Sequence, residues 1–186
     1  MKIEQLKAGQ EVTLEVLIGG SSFELKTEVV GTNESTGVLV KPYVYNDSVV
    51  DFKAGSPKSM SFSLHCIDPI SGGRVVWKNV SVDLVNFKGI DYYAVDSKEF
   101  GNIAASSERR EDISFLGNGD RVTIGDTVEV NFADSANNTD FSLGLSAKVI
   151  RTEVDNSSIL YAGKILEKDN KLLAYLCFKG MDEKAN

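Results

Sequence analysis

Apolar side chains recur at every second position along most of the chain, which is the period of a β-strand with one buried and one solvated face. The runs with this period lie at residues 12–18, 23–29, 62–66, 80–84, 128–132, 141–149 and 172–178. Clusters of Gly, Asn, Asp and Ser separate them, as in GGSS at 19–22, and such residues favour turns. Short strands at this spacing predict an all-β fold, either a sandwich or a barrel. A helix is expected only as a short linker near 97–111 or at the C-terminus.

Two parts of the chain resemble each other in sequence. The matching segments are Gly9–Val16 with Gly125–Phe132, Val29–Thr32 with Val149–Thr152, and Asn33–Leu39 with Asp155–Leu160. Two interpretations stay open, because a structural repeat and the general likeness of any two β-meanders would both give this pattern. In either case the chain divides near residues 100–101. We predict two small β domains, an N-terminal one at 1–103 and a C-terminal one at 104–186.

Composition and charge narrow the class of protein. The chain is 42% hydrophobic and 25% charged, as in globular proteins, and its net charge is −7. A negative surface disfavours non-specific binding to nucleic acid or to anionic membranes. The N-terminal residues lack the apolar core of a secretory leader, and no run of 18 apolar residues is present. We therefore expect a cytoplasmic protein without membrane insertion, in which Cys66 and Cys177 are buried thiols.

The residue types that commonly perform catalysis, such as histidine and cysteine, do not form a recognisable catalytic motif in this sequence. His65 is the only histidine, and it lies within a strand-like run where a packed or surface role is expected. His65 directly precedes Cys66, whereas Cys177 has no histidine nearby in sequence, and no metal-ligand motif or nucleophile motif is present. Trp77 and Tyr92-Tyr93 are expected in the core because no basic stripe accompanies them. We expect a protein that is not an enzyme and holds no metal or cofactor.

A charged segment at residues 106–117, SSERREDISFLG, is the main candidate for ligand chemistry. Arg109 and Arg110 offer planar donors that suit a phosphate or a guanine edge. Asp112 would accept from guanine N1–H and N2–H, Ser114 supplies a hydroxyl, and Gly117 permits close approach of a ring. The alternative is a solvated linker whose charges neutralise one another, since short motifs have many false positives.

The order of these features resembles PilZ proteins of the YcgR type. An Arg pair follows a β domain of about 100 residues, and Asp-x-Ser-x-x-Gly then opens a second β domain. Residues 1–100 resemble the N-terminal domain of that family, and residues 125–179 resemble the later strands of a PilZ barrel, including the stretch Leu173–Leu176. The resemblance implies two small antiparallel β-barrel domains in tandem, a YcgR-like one at 1–103 and a shortened PilZ-like one at 104–186. It also implies a cyclic di-GMP receptor in which Arg109, Arg110, Asp112, Ser114 and Gly117 bind the nucleotide.

The motif departs from the family pattern, in which Arg-x-x-x-Arg precedes a strand and then Asp-x-Ser-x-x-Gly. Here the second Arg is absent, and residues 112–117 follow Arg110 almost directly. Either a strand is deleted before the motif, or these residues overlie the segment of the second Arg. Losing one charge-assisted phosphate contact lowers affinity by about thirtyfold or more.

The resemblance implies a cyclic di-GMP effector that acts on a protein partner in the motility or surface-polysaccharide machinery. Ligand binding would reorient the two barrels, which requires different affinities for the two arrangements. The alternative is a degenerate member of the family that binds no nucleotide and serves as a protein–protein adaptor.

Overall fold

A computed structural model describes residues 1–18, 21–33, 37–55, 60–97, 102–103, 112–117, 122–155, 158–166 and 169–185. A 3-10 turn at Ile3–Gln5 precedes the first strand. The further elements are β1 Glu11–Ile18, β2 Ser21–Asn33, β3 Gly37–Val40, β4 Val44–Tyr45, β5 Ser48–Val49, α1 Phe52–Gly55, β6 Ser61–Ile67, β7 Arg74–Lys78, β8 Ser81–Phe87, β9 Ile90–Asp96, β10 Asn102–Ile103, β11 Asp112–Gly117, β12 Thr127–Ala136, β13 Thr139–Asp155, β14 Ser158–Ile165 and α2 Asn170–Ala185.

The strands form two main sheets, and all of their described pairings are antiparallel. The first sheet has eight strands in the order β10-β7-β6-β1-β2-β3-β9-β8, and the second has four in the order β11-β14-β13-β12. Strands β4 and β5 form a separate hairpin. The predicted all-β fold is confirmed. Each sheet, as described, has a first and a last strand in its hydrogen-bonded order. The division into two domains between residues 103 and 104 stays a prediction.

The period-two runs place alternate side chains in the core. On β1 the even-numbered residues from Val12 to Ile18 are buried, and on β13 the odd-numbered residues from Phe141 to Val149 are buried. One hydrophobic cluster takes in residues from both sheets and from α2, including Trp77, Phe141 and Phe178. At about 25 cal/mol per Å² of apolar surface removed from water, this cluster is the main stabilising feature of the fold.

The C-terminal segment differs from its strand prediction. Residues 172–178 were expected to alternate as a strand, as was the PilZ-like stretch Leu173–Leu176, but both lie within the 16-residue helix α2. The buried positions are Leu173, Ala174, Cys177 and Phe178, each nearly or fully inaccessible. A spacing of one, three and one residues matches a helix period, and Leu, Ala and Lys favour helices. Residues 172–178 are all apolar, so their pattern was compatible with a strand as well as with a helix.

The structure supports the repeat interpretation of the sequence. In the first repeat the Gly9 amide donates to the Val29 carbonyl at 2.8 Å, and the Val29 amide donates to Gln10 at 2.9 Å. In the second repeat the Gly125 amide donates to Val149 at 2.8 Å, and the Val149 amide donates to the Asp126 carbonyl at 2.8 Å. Both glycines have positive φ, at 84° and 101°. The meander β1-β2-β3 therefore corresponds to β12-β13-β14.

Each repeat also has a bulge at the corresponding place in its middle strand. The register of β2 against β3 shifts between Val29 and Gly31, and that of β13 against β14 shifts between Val149 and Arg151. A bulge adds one residue to a strand and re-aims the side chains that follow it. The correspondence of Val29 with Val149 therefore fixes which residues of the two repeats are equivalent.

Candidate functional site

The predicted ligand residues fall partly within the described structure. Arg109 and Arg110 lie outside the described residues, and their role stays a prediction. Asp112, Ser114 and Gly117 lie on β11, which pairs with β14 and is an edge strand of the second sheet as described. Their assignment as ligand residues also stays a prediction.

Strand register determines which residues accompany Asp112 and Ser114. Directly opposite residues of antiparallel strands belong to the same face of a sheet. Two rows of opposite residues run across β11, β14 and β13. The first row consists of Asp112, Lys164 and Lys148, and the second consists of Ser114, Ala162 and Arg151. The sheet thus brings three basic residues onto the face that holds the Asp112 and Ser114 positions.

Gly117 belongs to the other face of β11, because it lies an odd number of residues after Asp112. Its row continues to Ile159 on β14 and Val154 on β13. Ile159 is 42% exposed and Val154 is 79% exposed. Gly117 therefore does not share the basic face, but it borders an exposed apolar pair.

The three basic side chains are accessible to solvent. Lys148 and Arg151 are exposed and Lys164 is half-buried. Arg151 Nε lies 3.1 Å from Glu153 Oε1. We define Lys148, Arg151 and Lys164 as the basic face. Sequence reasoning did not identify these residues, because their proximity depends on the register of β13 against β14 and on the bulge.

A separate groove of about 1110 Å³ crosses the first sheet. Its described lining includes three basic side chains, Lys26, Lys41 and Arg74, and three carboxylates, Glu11, Glu24 and Glu28. Lys41 Nζ lies 2.9 Å from Glu28 Oε2, and Arg74 Nη2 lies 3.9 Å from Glu24 Oε1. Charges of both signs balance in this lining, so the groove has no net preference for an anion.

His65 lies beside this groove, on the face of β6 away from the core. Only 6% of the residue is exposed. The Arg74 guanidinium donates from Nε to His65 Nδ1 at 3.2 Å, and its Nη2 lies 2.8 Å from the same ring nitrogen. Burial, and then the positive charge of Arg74, lower the pKa of His65, while Glu24 and Glu15 act in the opposite direction.

Stability should therefore decrease as the pH falls below about 6.5, the ordinary pKa of histidine. In that range the unfolded chain binds a proton at His65 that the folded chain does not, so protons favour unfolding. Above this range the histidine contributes no pH dependence. Urea denaturation at pH 7.5, 6.5 and 5.5 checks this, and His65→Gln should flatten the profile. An unchanged slope in that variant would contradict the prediction.

The described part of the chain contains no group of three or more His, Cys, Asp and Glu residues arranged to bind a metal ion. Cys66 and Cys177 are free and buried, as predicted. Burial raises the pKa of both thiols, that of Cys177 to about 12. Thiolates are therefore disfavoured at both positions.

No helix among the described residues is long and apolar enough to span a membrane.

These features describe an all-β protein with two antiparallel sheets, an internal meander repeat and a C-terminal helix. The chain is similar to the solved structure of the Bacillus subtilis inhibitor of motility, MotI/DgrA. The identity is 12%, the TM-score is 0.39, and the match covers 97% of this chain and 99% of that one. No protein-family model matches the chain, and no curated protein matches it either.

Proposed function

We propose that this protein is a cyclic di-GMP-binding effector that regulates motility or surface-polysaccharide output without catalysing a reaction. The observation that carries the proposal is the placement of the Asp-x-Ser-x-x-Gly segment on an edge strand, with the Asp112 and Ser114 positions in rows that include Lys148, Lys164 and Arg151. A guanine-reading segment beside a basic face suits a ligand that combines guanine with phosphate.

In the proposed complex Arg109 and Arg110 grip a phosphate or a guanine edge, and Asp112 and Ser114 read a guanine. The protein is acidic overall, with a net charge of −7, so specific donors rather than a general positive field must hold the anion. The proposed output is a change in the relative arrangement of the two predicted domains, read by a protein partner in the cytoplasm. The non-catalytic role is supported by the high pKa of Cys177 and by the engagement of His65 with Arg74.

Isothermal titration of the purified protein with cyclic di-GMP tests this proposal. Saturable binding is expected, and Arg110→Ala should weaken it by about thirtyfold or more because a charge-assisted contact is lost. Lys7→Ala serves as the control, since it removes one exposed positive charge near the N-terminus and should leave the affinity unchanged. A wild-type protein that gives no heat and no chemical-shift change with high micromolar nucleotide would refute the receptor function.

A protein–protein adaptor without nucleotide binding is the second candidate. It is favoured by the exposed apolar pair of Val154 and Ile159, which lie directly opposite each other on β13 and β14. Adjacent exposed apolar residues are more typical of a contact surface than singly scattered ones. The same titration separates the two functions, because the adaptor gives no nucleotide binding in wild type.

A further inference from the structure

The two repeats carry different charges at equivalent positions. Val29 of the first repeat corresponds to Val149 of the second, and the residue before Val29 is Glu28. Lys41 of the neighbouring chain segment lies opposite Glu28, and the Lys41 amide donates to the Glu28 carbonyl at 3.2 Å. The Glu28 carboxylate and the Lys41 ammonium form an ion pair of 2.9 Å. The first repeat therefore neutralises its own charge at this place.

The second repeat places two lysines at the same two positions. Lys148 lies one strand position before Val149, with Ala147 on its other side, and it pairs in register with Lys164 on β14. The Cβ atoms of directly opposite residues are about 5 Å apart, and like charges at such a pair destabilise a sheet. The second repeat therefore holds an unfavourable cation pair where the first holds an ion pair.

A third cation follows the bulge of the second repeat. Arg151 is the first paired residue after the register shift, as Gly31 is in the first repeat. It lies opposite Ala162, which is buried, and its own side chain is 64% exposed. The ion pair with Glu153 engages Nε, and a guanidinium has further N–H donors on its two terminal nitrogens. The basic face thus combines two ammonium groups with a guanidinium.

We propose that Lys148, Lys164 and Arg151 bind a phosphate group on the second sheet. The inference rests on the proposed function in one respect, namely that this phosphate is one of the two in cyclic di-GMP. The basic face then supplies the cationic contact that the chain lacks after Arg110. A bound anion would attract both Lys148 and Lys164 and so offset the repulsion expected between two like charges at opposite positions.

Lys148→Glu tests the assignment, because it recreates the Glu–Lys pair of the first repeat. We expect it to weaken cyclic di-GMP binding by at least about tenfold, since an attractive charge becomes a repulsive one. Thermal stability should stay the same or increase, because the new carboxylate faces Lys164. Loss of affinity without loss of stability is a result that a purely structural role does not produce.

The matched control is Lys41→Gln, which removes a positive charge from the first-repeat position that is equivalent to Lys164. It should leave the affinity within about twofold of wild type, and Arg151→Lys should retain most of the binding that Arg151→Gln loses. The inference would be overturned, while the proposed function stands, by the following result. Arg110→Ala abolishes binding of cyclic di-GMP, whereas Lys148→Glu and Arg151→Gln leave the affinity unchanged. That outcome would mean that charges within the chain, such as Asp112 in the same row, neutralise the basic face.

Inorganic pyrophosphate separates the inference from the proposed function. Amide chemical shifts of Lys148, Arg151 and Lys164 should change and saturate on titration of wild type, and Lys148→Glu should abolish the change. This result would support the phosphate site even in a protein that does not bind cyclic di-GMP. Absence of shifts with both pyrophosphate and cyclic di-GMP would overturn it.

Discussion

Gly37→Ala is expected to destabilise the fold by about 3 kcal/mol, through a steric clash and an unfavourable backbone conformation that add together. Gly37 opens β3 with φ at 76°, a conformation that L-residues rarely adopt. A Cβ at this position would lie 2.3 Å from the Val95 carbonyl oxygen and 3.0 Å from the Asp96 Cα. Both obstacles are backbone atoms of β9, the strand that pairs with β3, so the pairing itself must shift to make room.

Gly89→Ala is the matched control for this prediction. Gly89 lies in the turn between β8 and β9 with φ at 82°, and an added Cβ would meet no atom within 4 Å. It should therefore show the backbone penalty alone, about 1 kcal/mol. Urea denaturation of both variants measures the difference, which isolates the clash at Val95. Equal losses in the two variants would show that β9 yields at little cost.

The strands were predictable because this sheet protein buries one face of most strands. Val12, Leu14 and Val16 alternate with polar residues, and the structure buries all three. The repeat was visible for a related reason, since each repeat needs a glycine of positive φ before its first strand and a β-branched residue beside its bulge. Gly9 and Gly125 meet the first of these requirements, and Val29 and Val149 meet the second.

A helix at the C-terminus was expected and is present, but the period of residues 172–178 did not show that these residues belong to it. In residues 172–178 apolar side chains occupy every position, which is compatible with either a strand or a helix. The decision is made by tertiary packing, because Leu173 and Phe178 both enter the core shared with the sheets. Helix propensity of Leu, Ala and Lys acts in the same direction.

The basic face was hidden for a geometric reason. Lys148, Arg151 and Lys164 are scattered singly among apolar residues, and their charges do not form a run in the sequence. Their proximity follows from antiparallel register and from the one-residue shift at the bulge, neither of which composition or spacing reveals. The Asp-x-Ser-x-x-Gly motif was recognisable by contrast because its residues are contiguous.

An aromatic cluster connects helix α2 with the second sheet and with the β4–β5 hairpin. Phe178 is 1% exposed and lies edge-on to Phe141 of β13, with ring centroids 5.9 Å apart. Phe141 in turn stacks on Tyr45 of the β4–β5 hairpin at 4.9 Å. On the helix surface, Lys179 Nζ and the Tyr175 hydroxyl both donate to Asp134 of β12 at 2.8 Å. The buried rings are expected to supply most of the stability, because exposed ion pairs contribute little.

Phe178→Ala should therefore destabilise the protein by about 3–5 kcal/mol, since it removes a buried ring and leaves a cavity between α2 and the second sheet. Lys171→Ala in the same helix is the control, and its exposed position predicts a change within about 0.5 kcal/mol. Urea denaturation measures both changes, and hydrogen exchange locates them. Loss of amide protection near Tyr45 as well as near Phe141 would show that α2 couples the hairpin to the second sheet. Loss confined to α2 would instead mean that the sheets keep their packing without the helix, and any ligand-driven rearrangement would then have to act elsewhere.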